Sequence, residues 1–389
     1  MAARAAPPQT WSVFARGNKA RPSGRVFYCA TSCLGSVSSF HESRAYAAVR
    51  PLGLPACRID RMNSRSCPLA TLLFALAPLG FLASCGAKTS VPNQTAAAVN
   101  PITPASTEEQ IRRAVGAARF GRKLTPKVWP NGAQVAVCIS FDVDNELLQR
   151  NNPLPVPLSV GEYGATTAIP RILDLLDRHN IPATFFIPAM SIMLHPEMVP
   201  AIVSRHRHEI GVHGWVHEFW PGIASADEEQ RLLARSIDYL TKAAGEPPAG
   251  VRAPGSGFSP HTFELIRKAG LLYDSSLLAA DEPYEIVSNG QPSGVVELPI
   301  SEIDNDYPYY GETANGSLPS PDAVFAIYKA EFDMALAERT LFILTQHPHV
   351  TGHRSRIAEL DRLVSYIQSK PGVWFATMKQ VANYVKPAH

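Results

Sequence analysis

The chain has 389 residues, of which 46% are hydrophobic, and 36 lysines and arginines stand against 34 aspartates and glutamates for a formal net charge of +2. That length supports a large core, and so balanced a charge offers no electrostatic footprint for nucleic acid. The first hundred residues differ from the rest: between residues 1 and 61 basic residues recur, Glu42 and Asp60 are the only acids, and no helical or strand period persists.

Residues 62–67 (Met-Asn-Ser-Arg-Ser-Cys) form a short basic start, 68–81 is an apolar stretch of signal-peptide length, and Leu-Ala-Ser-Cys ends at Cys85. Small residues before a cysteine at this distance resemble a bacterial lipoprotein signal, with Cys85 lipidated as the mature N-terminus. The apolar run falls short of the roughly 20 residues a membrane span requires and contains two prolines, Pro68 and Pro78. Residues 1–61 are then a non-structural leader or an over-extended start, and 62–85 the signal. Residues 86–125 read as a flexible tether, rich at first in Ala, Thr, Pro and Asn. Cleavage before Cys85 leaves Cys138 as the one cysteine of the folded part, so no internal disulfide forms there. Within its apolar run Cys138 reads as a buried, inert thiol.

Regular patterning covers the single domain expected at 126–389. Residues 135–141 (Val-Ala-Val-Cys-Ile-Ser-Phe) predict a buried strand, 167–178 a helix, and 183–187 another strand. A helix over 196–206, a short strand at 209–212 and a long amphipathic helix over 227–244 with Ser225 as its cap follow. Further units place strands at 250–252, 271–273, 295–300, 341–345 and 373–375, with helices at 260–269, 322–338 and 357–368. Alternating units over about 250 residues predict an α/β fold, a distorted parallel (β/α) barrel of about seven strands; an open doubly wound sheet is the alternative. No glycine-rich phosphate loop is present, so nothing points to a nucleotide cofactor.

Strand ends are where α/β enzymes place their chemistry. The first strand ends in Asp142 and Asp144, and the strand at 209–212 ends in His213 and His217. One carboxylate and two imidazoles fill three positions around a divalent cation, and a second carboxylate beside them suits removal of a proton from water. An i, i+4 pair of histidines shares one side if the backbone turns helically there. Trp215 between them reads as packing.

Five stretches in order resemble the polysaccharide deacetylase family, carbohydrate esterase family 4, in its peptidoglycan-deacetylase-like branch. They are 141–146 (Phe-Asp-Val-Asp-Asn-Glu), 213–217 (His-Gly-Trp-Val-His), 252–255 (Arg-Ala-Pro-Gly), 271–277 (Leu-Leu-Tyr-Asp-Ser-Ser-Leu) and 344–348 (Leu-Thr-Gln-His-Pro). The resemblance implies Asp142 as general base, with Asp144, His213 and His217 as metal ligands. It further implies that Arg252 holds the base, that the N–H of Gly255 binds the oxyanion, and that His347 protonates the leaving amine. His349 and His353 stand close enough to compete with His347. Gly255 replaces the aromatic residue common in the family, and so supplies no aromatic wall. The acid that tunes His347 lies within 302–310, Asp274 organises the turn after its strand, and Glu146 positions the loop.

The function implied is a hydrolase that removes N-acetyl groups from an envelope glycan and releases acetate. It would use one divalent metal ion, zinc before cobalt, iron or nickel, and would be held outside the cytoplasm by lipid on Cys85. Two alternatives stand beside it: an allantoinase-like hydrolase of a small cyclic amide or ureide, and a non-catalytic glycan-binding protein of the envelope.

Overall fold

The computed structural model describes residues 102–116, 118–311 and 317–386. The expected leader, the signal segment with Cys85 and the first part of the expected tether lie outside the described residues. Ten strands occur among the described residues: β1 (Arg119–Lys123), β2 (Val135–Asp142), β3 (Thr184–Ile187), β4 (Glu209–Val212), β5 (Gly250–Val251), β6 (Tyr273–Asp274), β7 (Tyr284–Ser288), β8 (Gln291–Glu297), β9 (Leu341–Gln346) and β10 (Val373–Phe375).

All eight residues of β2 are buried, as a continuous apolar run in a parallel sheet covered on both faces should be. One edge of β2 pairs with β9 along residues 136–141; the other is shared by β10 beside 135–137 and β3 beside 140–142. From β3 the parallel pairing continues through β4, β5 and β6 to β8. The segment after β8 returns to β9 through a bridge between Asn305 and Thr345. The result is the expected α/β fold, a curled sheet of the distorted (β/α) barrel type.

Successive side chains of β2 alternate between two cores. Val135, Val137, Ile139 and Phe141 pack against the surrounding helices. Ala136 and Cys138 face the other way, with Met378, Val381 and Val385 of the helix Met378–Val385. The same parity carries Ser140 and Asp142 to the second face. Burial pushes the Cys138 thiol far up, which agrees with its reading as inert.

Two expectations need correction. Eight strand segments were expected in about seven units; all eight are found as parallel strands, and two antiparallel ones, β1 and β7, were missed. The missed hairpin β7–β8 carried its signal in Asn289-Gly290, where both φ values are positive, 48° and 79°, as a two-residue turn demands. The tether was drawn too long: β1 pairs with β7, and Leu124 N–H bonds the Pro283 carbonyl at 2.8 Å. Its sequence, Arg-Phe-Gly-Arg-Lys, shows no alternation; its anchors are one ring, Phe120 at 4.8 Å from Tyr284, and the ion pairs of Arg122 with Glu285 and Lys123 with Glu282.

The long helix Ala226–Ala244 begins at Ser225, whose side chain accepts from Glu228 N–H, and stops at Gly245 with φ 81°. A helix at Pro155–Tyr163, not anticipated from its Pro-rich sequence, runs through a π-turn at Gly164–Ala168 into Ile169–His179. It braces the loop after β2. A Cβ at Gly161 would lie 2.1 Å from Glu146 N and 2.2 Å from Asn145 C. Gly161→Ala is therefore expected to cost about 1–3 kcal/mol, the range for overpacking, read as a lower urea midpoint at constant m-value. An unchanged midpoint would show that the loop yields freely.

Candidate active site

The C-terminal ends of β2, β4, β5 and β9 supply Asp142 and Asp144, His213 and His217, Arg252, and His347 in turn. Asp144 Oδ1 lies 3.3 Å from His213 Nε2 and 3.4 Å from His217 Nε2. The three ligand atoms fall within 4.8 Å of one another, the only such cluster among the described residues. Asp144 is 2% exposed and its Oδ1 meets no hydrogen-bond donor. An orphaned carboxylate oxygen facing two imidazole nitrogens fits a divalent cation better than it fits the protein alone. His213 Nδ1–H donates to the Arg252 carbonyl at 2.7 Å, which leaves Nε2 with its lone pair toward Asp144.

The 213–217 segment is not helical, contrary to the condition placed on its spacing. Gly214 at φ 77° and His217 at φ 56° turn the chain in the left-handed region. The Glu218 carboxylate secures that turn by accepting from Trp215 N–H at 2.9 Å, Val216 N–H at 2.7 Å and Trp220 Nε1–H at 3.2 Å. Trp215 itself packs on Tyr239, with Arg235 over its ring, as expected of a packing residue.

Burial opposes every charge here, and the neighbours decide the outcome. Asp144 would be pushed up by burial, but His217, His213 and His347 hold it far below the usual carboxylate range. Burial pulls His217 down to about 4, so its imidazole is neutral and suited to ligation. Burial also acts on His213, yet Asp142 and Asp144 raise it.

Arg252 is 1% exposed, and its Nη1 bonds Asp142 Oδ1 at 2.7 Å and Ser140 Oγ at 3.0 Å. His347 faces the same space: its Nε2 is 4.0 Å from Asp142 Oδ2 and 3.9 Å from Asp144 Oδ2. Behind it stands Asp306, the acid that the sequence narrowed only to a stretch. Asp306 Oδ1 accepts from His347 Nδ1–H at 2.7 Å, and Oδ2 from His347 N–H at 3.0 Å. Burial would lower His347, but Asp306, with Asp144 and Asp142, raises it to about 9.

The remaining candidates separate clearly. His349 is buried but bonds no protein group through either ring nitrogen, while His353 stacks on Tyr163. Glu146 pairs with His195 at 2.8 Å. Asp274 accepts from Ser276 N–H at 3.0 Å and Oγ–H at 2.9 Å, organising its turn. Gly255 is the exposed residue of the turn Pro254–Ser256, at φ 59° beside the buried Pro254. Three further residues support the site in roles not read from the sequence: Ser140 and Ser275 on the guanidinium, both inside stretches already singled out, and Glu218 under the histidine turn.

Residues 159–273 match the family model for polysaccharide deacetylase. That segment contains His213, His217 and Arg252, with the two aspartates before it and His347 after it. A crystal structure described as a polysaccharide deacetylase from Mycobacterium smegmatis is 34% identical, covering 69% of this chain and 95% of that one at a TM-score of 0.63. The chain belongs to the polysaccharide deacetylase family. It is also similar to a peptidoglycan deacetylase from Helicobacter pylori, 28% identical over 59% of this chain and 87% of that protein. A third likeness is to the solved structure of the PuuE allantoinase, 25% identical at a TM-score of 0.60, covering 68% of this chain and 97% of that one.

The His347–Asp306 contact has a pH signature. His347 is raised from 6.5 to about 9, so the pair stabilises the fold fully below about pH 6.5 and loses that contribution as pH rises through 9. In chelator-treated protein, NMR titration should place His347 near 9, and Asp306→Asn should lower it. The stability gap between the two proteins should be widest on the weakly acidic side, near about pH 6, and narrow above about pH 9. A His347 value unmoved by the substitution would separate the two residues.

Proposed function

We propose that the protein is a metal-dependent N-deacetylase that removes acetyl groups from an N-acetylated glycan of the bacterial cell envelope. The observation that carries this reading is the meeting of three kinds of group. A carboxylate gripped by a buried arginine and a histidine backed by a carboxylate both lie beside a three-ligand cluster, with His347 Nε2 4.0 Å from Asp142 Oδ2.

Asp144, His213 and His217 would hold one divalent cation; two imidazoles and a carboxylate suit zinc first, then cobalt, iron or nickel. Bound there, the cation supplies Lewis acidity toward the acetamide carbonyl and the attacking water. Asp142 accepts the proton of that water as its oxygen bonds to the acyl carbon, and Arg252 keeps the carboxylate turned to it. The Gly255 N–H meets the charge that develops on the carbonyl oxygen. His347 then gives a proton from Nε2 to the amide nitrogen as the C–N bond breaks, while Asp306 holds its ring by Nδ1. One water is consumed, and acetate and a free amine leave.

The name of the Helicobacter pylori relative supports a peptidoglycan-like substrate. We assign residues 62–85 as a lipoprotein signal, Cys85 as the lipidated residue, and the catalytic domain to 126–389 with β1 added to its sheet. Among the described residues no helix is long and apolar enough to cross a membrane, so attachment on this reading rests on Cys85. A second reading, hydrolysis of a small cyclic ureide, is favoured by the likeness to the allantoinase structure.

Acetate release from N-acetylated glycans, run beside allantoin, separates the two. Asp142→Asn should lower the rate by about two to four orders of magnitude, the worth of a general base, with metal stoichiometry retained. His217→Ala should lower metal content and thermal stability together. Acetate from no glycan with turnover of allantoin would favour the second reading. Turnover of neither would leave a glycan-binding protein.

On expression from Met62, Cys85→Ser should abolish membrane association. An unmodified 62–85 segment in the mature protein, found by mass spectrometry, would remove the anchor.

A further inference from the structure

Phe219 follows the proposed ligand His217 by two residues and is 52% exposed. An apolar ring so open to water is ordinarily mobile, but this one has a seat. A Cβ on Gly257 would fall 2.3 Å from Phe219 Cε2 and 2.8 Å from Cδ2, and a Cβ on Gly255 3.8 Å from Cδ2. Gly257, after the turn that follows β5, thus clears the space against which one side of the ring rests, and Gly255, the residue proposed to bind the oxyanion, lies at ordinary contact distance from it. The backbone beneath is fixed from both flanks. Glu218 ties down Val216 N–H and Trp220 Nε1–H, and the Phe219 carbonyl accepts from Gly222 N–H at 2.9 Å.

The ring therefore joins the loop of His217 to the turn of Gly255 and leaves much of its surface to solvent. An aromatic surface held in this way matches the C–H face of a pyranose and offers little to a small ureide. We propose that Phe219 is a specificity-determining residue, a platform on which a sugar ring of the substrate stacks. This inference rests on the deacetylase reading and goes beyond it in naming what selects a glycan over a small amide.

The test uses the full chain with an N-acetylglucosamine tetramer and, as a substrate without a pyranose, 4-nitrophenyl acetate. Phe219→Ala should raise KM for the tetramer about tenfold, the upper worth of a stacked aromatic contact. Its effect on kcat and on the nitrophenyl ester should be smaller, its metal content should stay at the wild-type level, and Phe219→Trp should restore KM. Tetramer binding to Asp142→Asn, with and without Phe219→Ala, reads the same contact without turnover. If the wild type releases no acetate, the deacetylase reading fails, and that binding measurement still decides the platform. An equal fall on both substrates, a loss of metal, an unchanged KM, or an Asp142→Asn protein whose tetramer affinity is absent or indifferent to Phe219 would overturn it.

Discussion

A single buried guanidinium holds the two halves of the site together. Burying a charge costs several kcal/mol, and Arg252, at 1% exposure, recovers it by spending its donors fully. Nε bonds the Ser275 carbonyl at 3.0 Å, Nη2 the Ser275 hydroxyl at 3.0 Å and the Met378 Sδ at 3.8 Å, and Nη1 both Ser140 and Asp142, while Cζ lies 4.3 Å from the centre of the Phe186 ring. The same residue uses its backbone as well, for its carbonyl takes the Nδ1–H of His213. Asp142 and His213 are thus oriented by one anchor, and each is placed only if the arginine is.

Two imidazoles within one small volume are driven to different states by what surrounds them. His217 has an unpartnered Nδ1, so burial prevails and the ring is neutral. His347 has Asp306 at its back, and the carboxylate outweighs burial. That difference between chemically identical side chains matches the proposed roles of His217 as ligand and His347 as proton donor, in the way environments separate acid and base roles generally. Asp306 reaches its place because the segment after β8 bridges to β9, with Asp306 N–H on the Thr345 carbonyl at 3.2 Å. Closing the curled sheet and tuning the histidine are one structural event.

The eight parallel segments, the buried thiol, the capped helix at Ser225 and the strand-end positions of both aspartates were all legible in order and pattern. They depend on local periodicity, which a sequence records directly. The strand β1 and the helix at Pro155–Tyr163 were not legible. Their reasons for forming lie elsewhere, in the edge of β7 and in the loop at Glu146 against which Gly161 packs. The hairpin at Asn289-Gly290 was written in the chain and passed over, a failure of reading rather than of signal.

For the site, residue types, motif order and family membership were available from the sequence, because coordination and proton transfer demand particular atoms on particular loops. Partnership was not. That Asp306 rather than Asp304 meets His347, that Ser275 completes Arg252, that Glu218 closes the histidine turn and that Phe219 sits on Gly257 are contacts between residues 2 to 41 positions apart. Hydrogen bonds and ring contacts act over a few ångströms of space, and separation along the chain carries no measure of that distance until the sheet has curled and brought the strand ends together.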